Sequence, residues 1–202
     1  MVRFSIFSFV LITLVFLVWR FASERKSIPC PPWLGWLVEL DNPFCKVQRA
    51  STIIENARIE PGMRVLDAGC GPGRVSIPAL KQVGGSGHVV ALDMQHQMLE
   101  KTRRKANDSS SISFLHAGLG EGKLEKEVFD RALLVTVLGE IPNQKAAVEE
   151  LFSALKHGGV LSVTEIIFDP HFQRQKLVID LATSCGFELE SIFGRKLAYS
   201  IL

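Results

Sequence analysis

Val65-Leu66-Asp67-Ala68-Gly69-Cys70-Gly71-Pro72-Gly73-Arg74 is the stretch from which the rest of the chain can be read. Met63-Arg64-Val65-Leu66 is a short stretch, apolar apart from Arg64, of the kind that forms a buried strand. It ends in an acid, three glycines follow at alternate positions, and Val75-Ser76-Ile77 opens a helix. Strand, glycine turn and helix in that order build a nucleotide-cofactor loop. Glycine has no Cβ, so the backbone turns tightly and lies close against a ligand. Asp67 argues against a pyrophosphate at this turn, because two anions repel. The dinucleotide fingerprint G-x-G-x-x-G also fails here, since Arg74 stands where its third glycine belongs.

Outward from the loop, strands and helices alternate. After the strand ending at Asp67, the pattern predicts a helix over 74–83, a strand over 88–93, a helix to about Asn107 and a strand over 112–116. A Leu- and Val-rich strand follows over 129–136, as suits a central position. A helix over 144–155 ends at His157-Gly158-Gly159, and a strand follows over 160–165. A helix over 172–185 is closed by Gly186, a residue able to take φ > 0. Two closing strands occupy 188–193 and 196–202. Such alternation predicts an α/β fold, a doubly wound, mostly parallel seven-stranded sheet with helices on both faces. In such sheets ligands bind outside the carboxyl ends of the strands.

The glycine stretch resembles motif I of class I S-adenosylmethionine-dependent methyltransferases, (V/I)LD(V/A)GCGxG, over nine consecutive positions. The resemblance covers roughly Lys46 to Leu202 and is nearest to the group that includes quinone-biosynthesis and small-molecule methyltransferases. It implies S-adenosyl-L-methionine as cofactor, held at Asp67, Ala68, Gly69, Cys70, Gly71 and Gly73. Asp93, at the end of the second strand, would accept both ribose hydroxyls, with Met94 packed on the adenine. The bland alternative for Asp93 is a helix N-cap. After the third strand the family often has an acid that binds the adenine amine. Here Gly118 takes its place, leaving the backbone of Gly118 and Leu119 to meet the base, or Glu121 to substitute from a longer loop.

Phe129 to Pro142 resembles the family's fourth-strand motif, with Gly139 where a histidine often occurs. Thr136 should lie beside the cofactor and Glu140 on the acceptor side. Glu165, Asp169 and His171 follow the fifth strand on the functional edge. Glu140 and His171 are the candidate catalytic residues, weighed against a simple loop acid and a surface histidine. Methyl transfer from a sulfonium is an in-line displacement in which the cofactor brings the electrophile and the protein aligns the acceptor. No metal ligand set is visible. A nucleotide-cofactor oxidoreductase and a non-catalytic S-adenosylmethionine-binding module are the alternatives.

Before the domain, Phe4 to Trp19 is an uncharged run of apolar and hydroxyl residues. As a helix rising about 1.5 Å per residue it falls slightly short of a bilayer core of roughly 30 Å, and Phe21 and Ala22 extend it. Residues 1–26 are therefore expected to form a membrane anchor. A cleaved signal peptide is the rival, and the arginine of Arg20-Phe21-Ala22-Ser23 speaks against a cleavage site. Arg20, Arg25 and Lys26 favour a cytoplasmic domain. Residues 27–45 read as a juxtamembrane connector and possible lid, with Trp33 and Trp36 suited to the membrane–water boundary. The methyltransferase domain would fill 46–202, with a helix over 46–57, as the resemblance implies, before the first strand.

A formal net charge of +2 gives no electrostatic case for nucleic acid. The cysteines, Cys30, Cys45, Cys70 and Cys185, form no C-x-x-C pair. The expected acceptor is a small molecule, lipid-like or quinone-like given the anchor.

Overall fold

The computed structural model describes Glu39, Asp41 and residues 45–202. The apolar run and nearly all of the connector lie outside these residues. Among the described residues no helix is long and apolar enough to cross a membrane.

Five strands run parallel: β1 (Arg64–Ala68), β2 (His88–Asp93), β3 (Ile112–His116), β4 (Phe129–Val135) and β5 (Leu155–Ile166). A closing hairpin, β6 (Ile192–Arg195) and β7 (Ala198–Ile201), adds β7 antiparallel to β5. The spatial order is β3-β2-β1-β4-β5-β7-β6. The chain winds outward from β1 to β3, then crosses back to β4. β1 and β4 therefore flank the point where the winding direction reverses, which opens a crevice at their carboxyl ends.

Side chains alternate across the sheet, and the two faces bury separate apolar cores. Val65, Val89, Ala91 and Leu133 point to one face. There they meet α1 (Ala50–Asn56), α2 (Ser76–Val83) and α3 (His96–Ala106) through Ile53, Ala79, Val83 and Leu99. Leu66, Ala68, Leu134 and Tyr199 point to the other. They pack on α4 (Gln144–Ala154) and α5 (Gln175–Ser184) through Val148, Leu151 and Val178.

Three elements differ from the sequence pattern. The stretch 46–57 is not one helix: Lys46–Gln48 forms a 3-10 turn, and Arg49 is extended at φ −66°, ψ 137° before α1 begins. The Ala50 N–H, otherwise an orphan at the start of α1, donates to Asp41 Oδ1 at 3.1 Å. The His157-Gly158-Gly159 turn is absorbed into β5. Pairing with β4 jumps from Phe129↔Leu155 to Arg131↔Val160, so the glycines form a bulge and the strand starts directly at the end of α4. The last helix starts at Gln175 rather than Phe172, because Gln173 is held elsewhere: its N–H donates to Glu165 Oε2 (3.3 Å) and its carbonyl accepts from the Tyr199 hydroxyl (2.7 Å).

Candidate active site

The glycine loop is fixed to the end of β2. The N–H groups of Gly69 and Cys70 both donate to the Leu92 carbonyl, at 2.8 and 2.9 Å. Gly69 has φ +74°, and a Cβ there would sit 2.4 Å from Val137 Cγ2. Both the backbone and the packing therefore require glycine at this position. Gly71, at φ +52°, is different: a Cβ there would meet nothing within 4 Å, so this part of the loop lies open. Its N–H donates to Asp93 Oδ2 at 2.8 Å, and the other oxygen of Asp93 accepts from Gln95 N–H, also at 2.8 Å. Asp93 thus joins the loop to the chain leaving β2. It does not act as the N-cap of α3, a position held by Gln95, whose side chain makes no capping bond. Burial raises the Asp93 carboxyl above its usual range, and the two N–H donors oppose that rise. Met94, next in the chain, is 58 % exposed beside the cradle.

Asp67 ends β1 beneath the loop. It is buried and accepts a 2.5 Å hydrogen bond from the Ser76 hydroxyl. Burial pushes its pKa up to about 6, with the Ser76 bond and the Arg74 charge pulling the other way. A carboxyl raised in the folded state destabilises the fold once it ionises. Stability attributable to Asp67 is therefore lost as pH rises from the ordinary carboxylate value toward 6, and stays lost above. Asp67→Asn is expected to stabilise the ligand-free domain by about 2 kcal/mol at pH 8 and by less at pH 5. Urea unfolding at the two pH values checks this; a variant less stable at both would show that the carboxylate is worth more ionised than burial costs.

Arg74 faces away from the open side of the loop. Its guanidinium donates to Asp41 Oδ1 (3.1 Å) and the Gln48 carbonyl (2.6 Å). Lys105 similarly meets Glu39 (2.9 Å) and the Pro72 carbonyl (2.7 Å). These two cations tie residues 39 and 41 to the loop.

The departures from the family pattern are filled from elsewhere in the chain. A Cβ on Gly118 would lie 2.8 Å from Glu121 Oε1, so the acid three residues on folds back over the position the family gives to an acid. Leu119, between them, packs on the core with its backbone in the same turn. At the end of β4, Thr136 adopts φ +54°, an uncommon conformation for a β-branched residue. The resulting bend carries Val137 onto Gly69 and leads into a 3-10 turn, Leu138–Glu140. A Cβ on Gly139 would fall 1.9 Å from the His171 carbonyl. The main chain of His171 therefore occupies the space beside Gly139, and an imidazole is delivered from the β5–α5 loop instead of from β4.

His171 is buried, not on the surface. Its Nδ1 lies 3.7 Å from Glu140 Oε1 and 3.8 Å from Asp169 Oδ1. Asp169 Oδ1 also accepts from the His171 N–H at 2.7 Å. Glu165, at the end of β5, is 1 % exposed, and its Oε1 makes no hydrogen bond. Burial, then the neighbouring Asp169 and Glu140 carboxylates, hold the Glu165 carboxyl well above the usual range, with the Gln173 N–H pulling the other way. His171, Gln173, Gly139, Asn143 and Gln144 line a polar cleft of about 410 Å³ beside this group. Sequence reading placed Glu165 on this edge without giving it a role; only the packing of β5 against β7 and the following loop shows how completely it is enclosed. Val137 carried no mark in the sequence.

The sequence profile of the methyltransferase domain family matches residues 59–193, which takes in both the loop and the His171 group. The chain belongs to that family. The domain is 32 % identical over 123 residues to the ubiquinone/menaquinone biosynthesis C-methyltransferase UbiE of Vibrio vulnificus, a match covering 58 % of this chain and 47 % of the relative. It is 29 % identical over 113 residues to the demethylmenaquinone methyltransferase of Staphylococcus saprophyticus, covering 56 % and 48 %. The chain thus spans about half the length of these curated relatives. Among solved structures, a SAM-dependent methyltransferase from Aquifex aeolicus superposes with a TM-score of 0.75 at 18 % identity, over 86 % of this chain and 97 % of the other.

S-adenosylmethionine is the cofactor of this methyltransferase domain family, and the residues present fit it. Two buried carboxyls, Asp67 and Asp93, are raised by burial, which suits a ligand bringing positive charge and hydroxyl donors. The open side of Gly71 leaves room for such a ligand against the backbone.

Proposed function

We propose that this domain transfers the methyl group of S-adenosylmethionine to a hydroxyl-bearing, quinone-like or lipid-like acceptor at a membrane surface. The sulfonium methyl supplies the electrophile, so the protein's work is to align the acceptor and take its proton. Asp93 accepts from the ribose hydroxyls while its loop bonds keep it in place. Glu121 takes the adenine amine in the role the family gives to an acid at Gly118. Thr136 and Val137 form the wall between cofactor loop and acceptor cleft. On the acceptor side His171 removes the proton, with Glu140 and Asp169 stabilising the imidazolium. Glu165, enclosed beside this group, limits the cleft on the β5 side.

The observation that carries this reading is the continuity from the loop to the imidazole: Gly69 packs on Val137, and Gly139, two residues on, packs on His171. This run of packed residues supports His171 as the group that takes the acceptor's proton. The quinone-like acceptor is carried over from the names of the relatives, and the membrane location from the apolar run at Phe4–Trp19. That run would serve as a single-pass anchor with the domain in the cytoplasm.

Incubation of the full chain with methyl-tritiated cofactor and a total membrane lipid extract is expected to place label in the organic phase. Label confined to water-soluble acceptors would overturn the lipid reading. Tight cofactor binding with no transfer to either phase would make the domain a binding module.

A further inference from the structure

The carboxyl edge of the sheet carries a second surface that cofactor and acceptor leave unused. β7 pairs with β5 so that Ala198 lies opposite Ile166, and the β6–β7 turn therefore rises at the same edge as the His171 cleft. The Ile167 N–H donates to the Leu197 carbonyl at 2.8 Å, which brings the two loops together. Phe168 and Leu197, next to this bond, are 71 % and 60 % exposed, the two most exposed large apolar side chains among the described residues. Arg195 and Lys196 immediately precede Leu197, and both are exposed; Arg174, at the start of α5, is exposed as well. The acid of this neighbourhood, Asp169, turns inward to His171. Among the described residues the outer surface is thus two apolar tips flanked by Arg195, Lys196 and Arg174, none of them in an ion pair there.

We propose that this rim docks on an anionic lipid surface, with Phe168 and Leu197 entering the headgroup boundary and Arg195 and Lys196 meeting lipid phosphates. A protein partner would require a contiguous patch with a packed, desolvated centre. Separate protruding tips ringed by flexible cations suit a fluid bilayer, which needs no fixed shape complementarity. Basic residues gain from the negative surface potential of an anionic leaflet. The inference deepens the membrane-surface reading above: it adds a contact made by the globular domain itself, at the mouth of the acceptor cleft.

The test is photolabelling of the full chain by a photoactivatable phosphatidylcholine probe, mapped by mass spectrometry. Vesicles of phosphatidylcholine alone are compared with vesicles containing phosphatidylglycerol. Labelling is expected at 167–169 and 195–197 in the anionic vesicles, weaker in the neutral ones and weakened by salt. Arg195→Glu/Lys196→Glu is expected to reduce it by about tenfold or more, and Phe168→Ser/Leu197→Ser to remove it. Phe152, 46 % exposed on α4, is the internal control. Labelling confined to residues before 45, or equal at Phe152 and at the rim, overturns the proposal while leaving the anchor standing. Rim labelling without any in the first 26 residues supports the proposal and overturns the anchor.

Discussion

Asp93→Ala is expected to weaken S-adenosylmethionine binding by about 100-fold, because two hydrogen bonds to a charged acceptor, each worth roughly 1.5–3 kcal/mol before compensation by water, disappear together. The carboxyl is buried and already oriented by Gly71 and Gln95, so little of its affinity is lost to ordering. The substitution also releases those two N–H groups. Asp93→Asn, which keeps one carbonyl acceptor, separates the effects and should fall between wild type and alanine. Calorimetric titration reads the affinities, and circular dichroism checks the fold. The penalty should vanish for a cofactor analogue lacking the ribose hydroxyls, since the two changes remove the same interaction. Equal losses for both ligands would mean that Asp93 only supports the loop, and an unchanged affinity would remove the ribose assignment altogether.

The second large effect is on turnover. His171→Gln is expected to lower kcat by about 10²- to 10³-fold, the range for loss of a positioned base, with cofactor affinity unchanged. The ring is buried, so the variant risks a packing defect. Glu140→Gln keeps the side-chain shape and removes only a charge 3.7 Å from Nδ1. It should reduce kcat by less than His171→Gln does and leave cofactor affinity unchanged, as read by steady-state kinetics and calorimetry. Turnover retained in both variants would assign the proton to another group.

The glycine loop and the strands around it were legible in the sequence because their information is local. A strand, an acid, glycines at alternate positions and a second acid-terminated strand are patterns of adjacent residues, and β2 and β3 fall where the pattern puts them. The cleft at His171 was not, because it rests on contacts between distant loops. Gly139 looks like a loss until the His171 backbone is seen beside it, 32 positions later, and Gly118 looks vacant until Glu121 folds over it. The β5 bulge escaped for a related reason: Gly158-Gly159 has the composition of a turn, and only pairing with β4 keeps the strand running through it. Glu165 reads as an ordinary acid at a strand end, and nothing in its neighbours along the chain announces full enclosure.

Four amide hydrogens, those of Gly69, Cys70, Gly71 and Gln95, converge on the Leu92 carbonyl and the Asp93 carboxylate. All four bonds are made by the chain to itself, so the proposed seat for the sugar is braced from within the peptide, independently of any side chain of the outer helices.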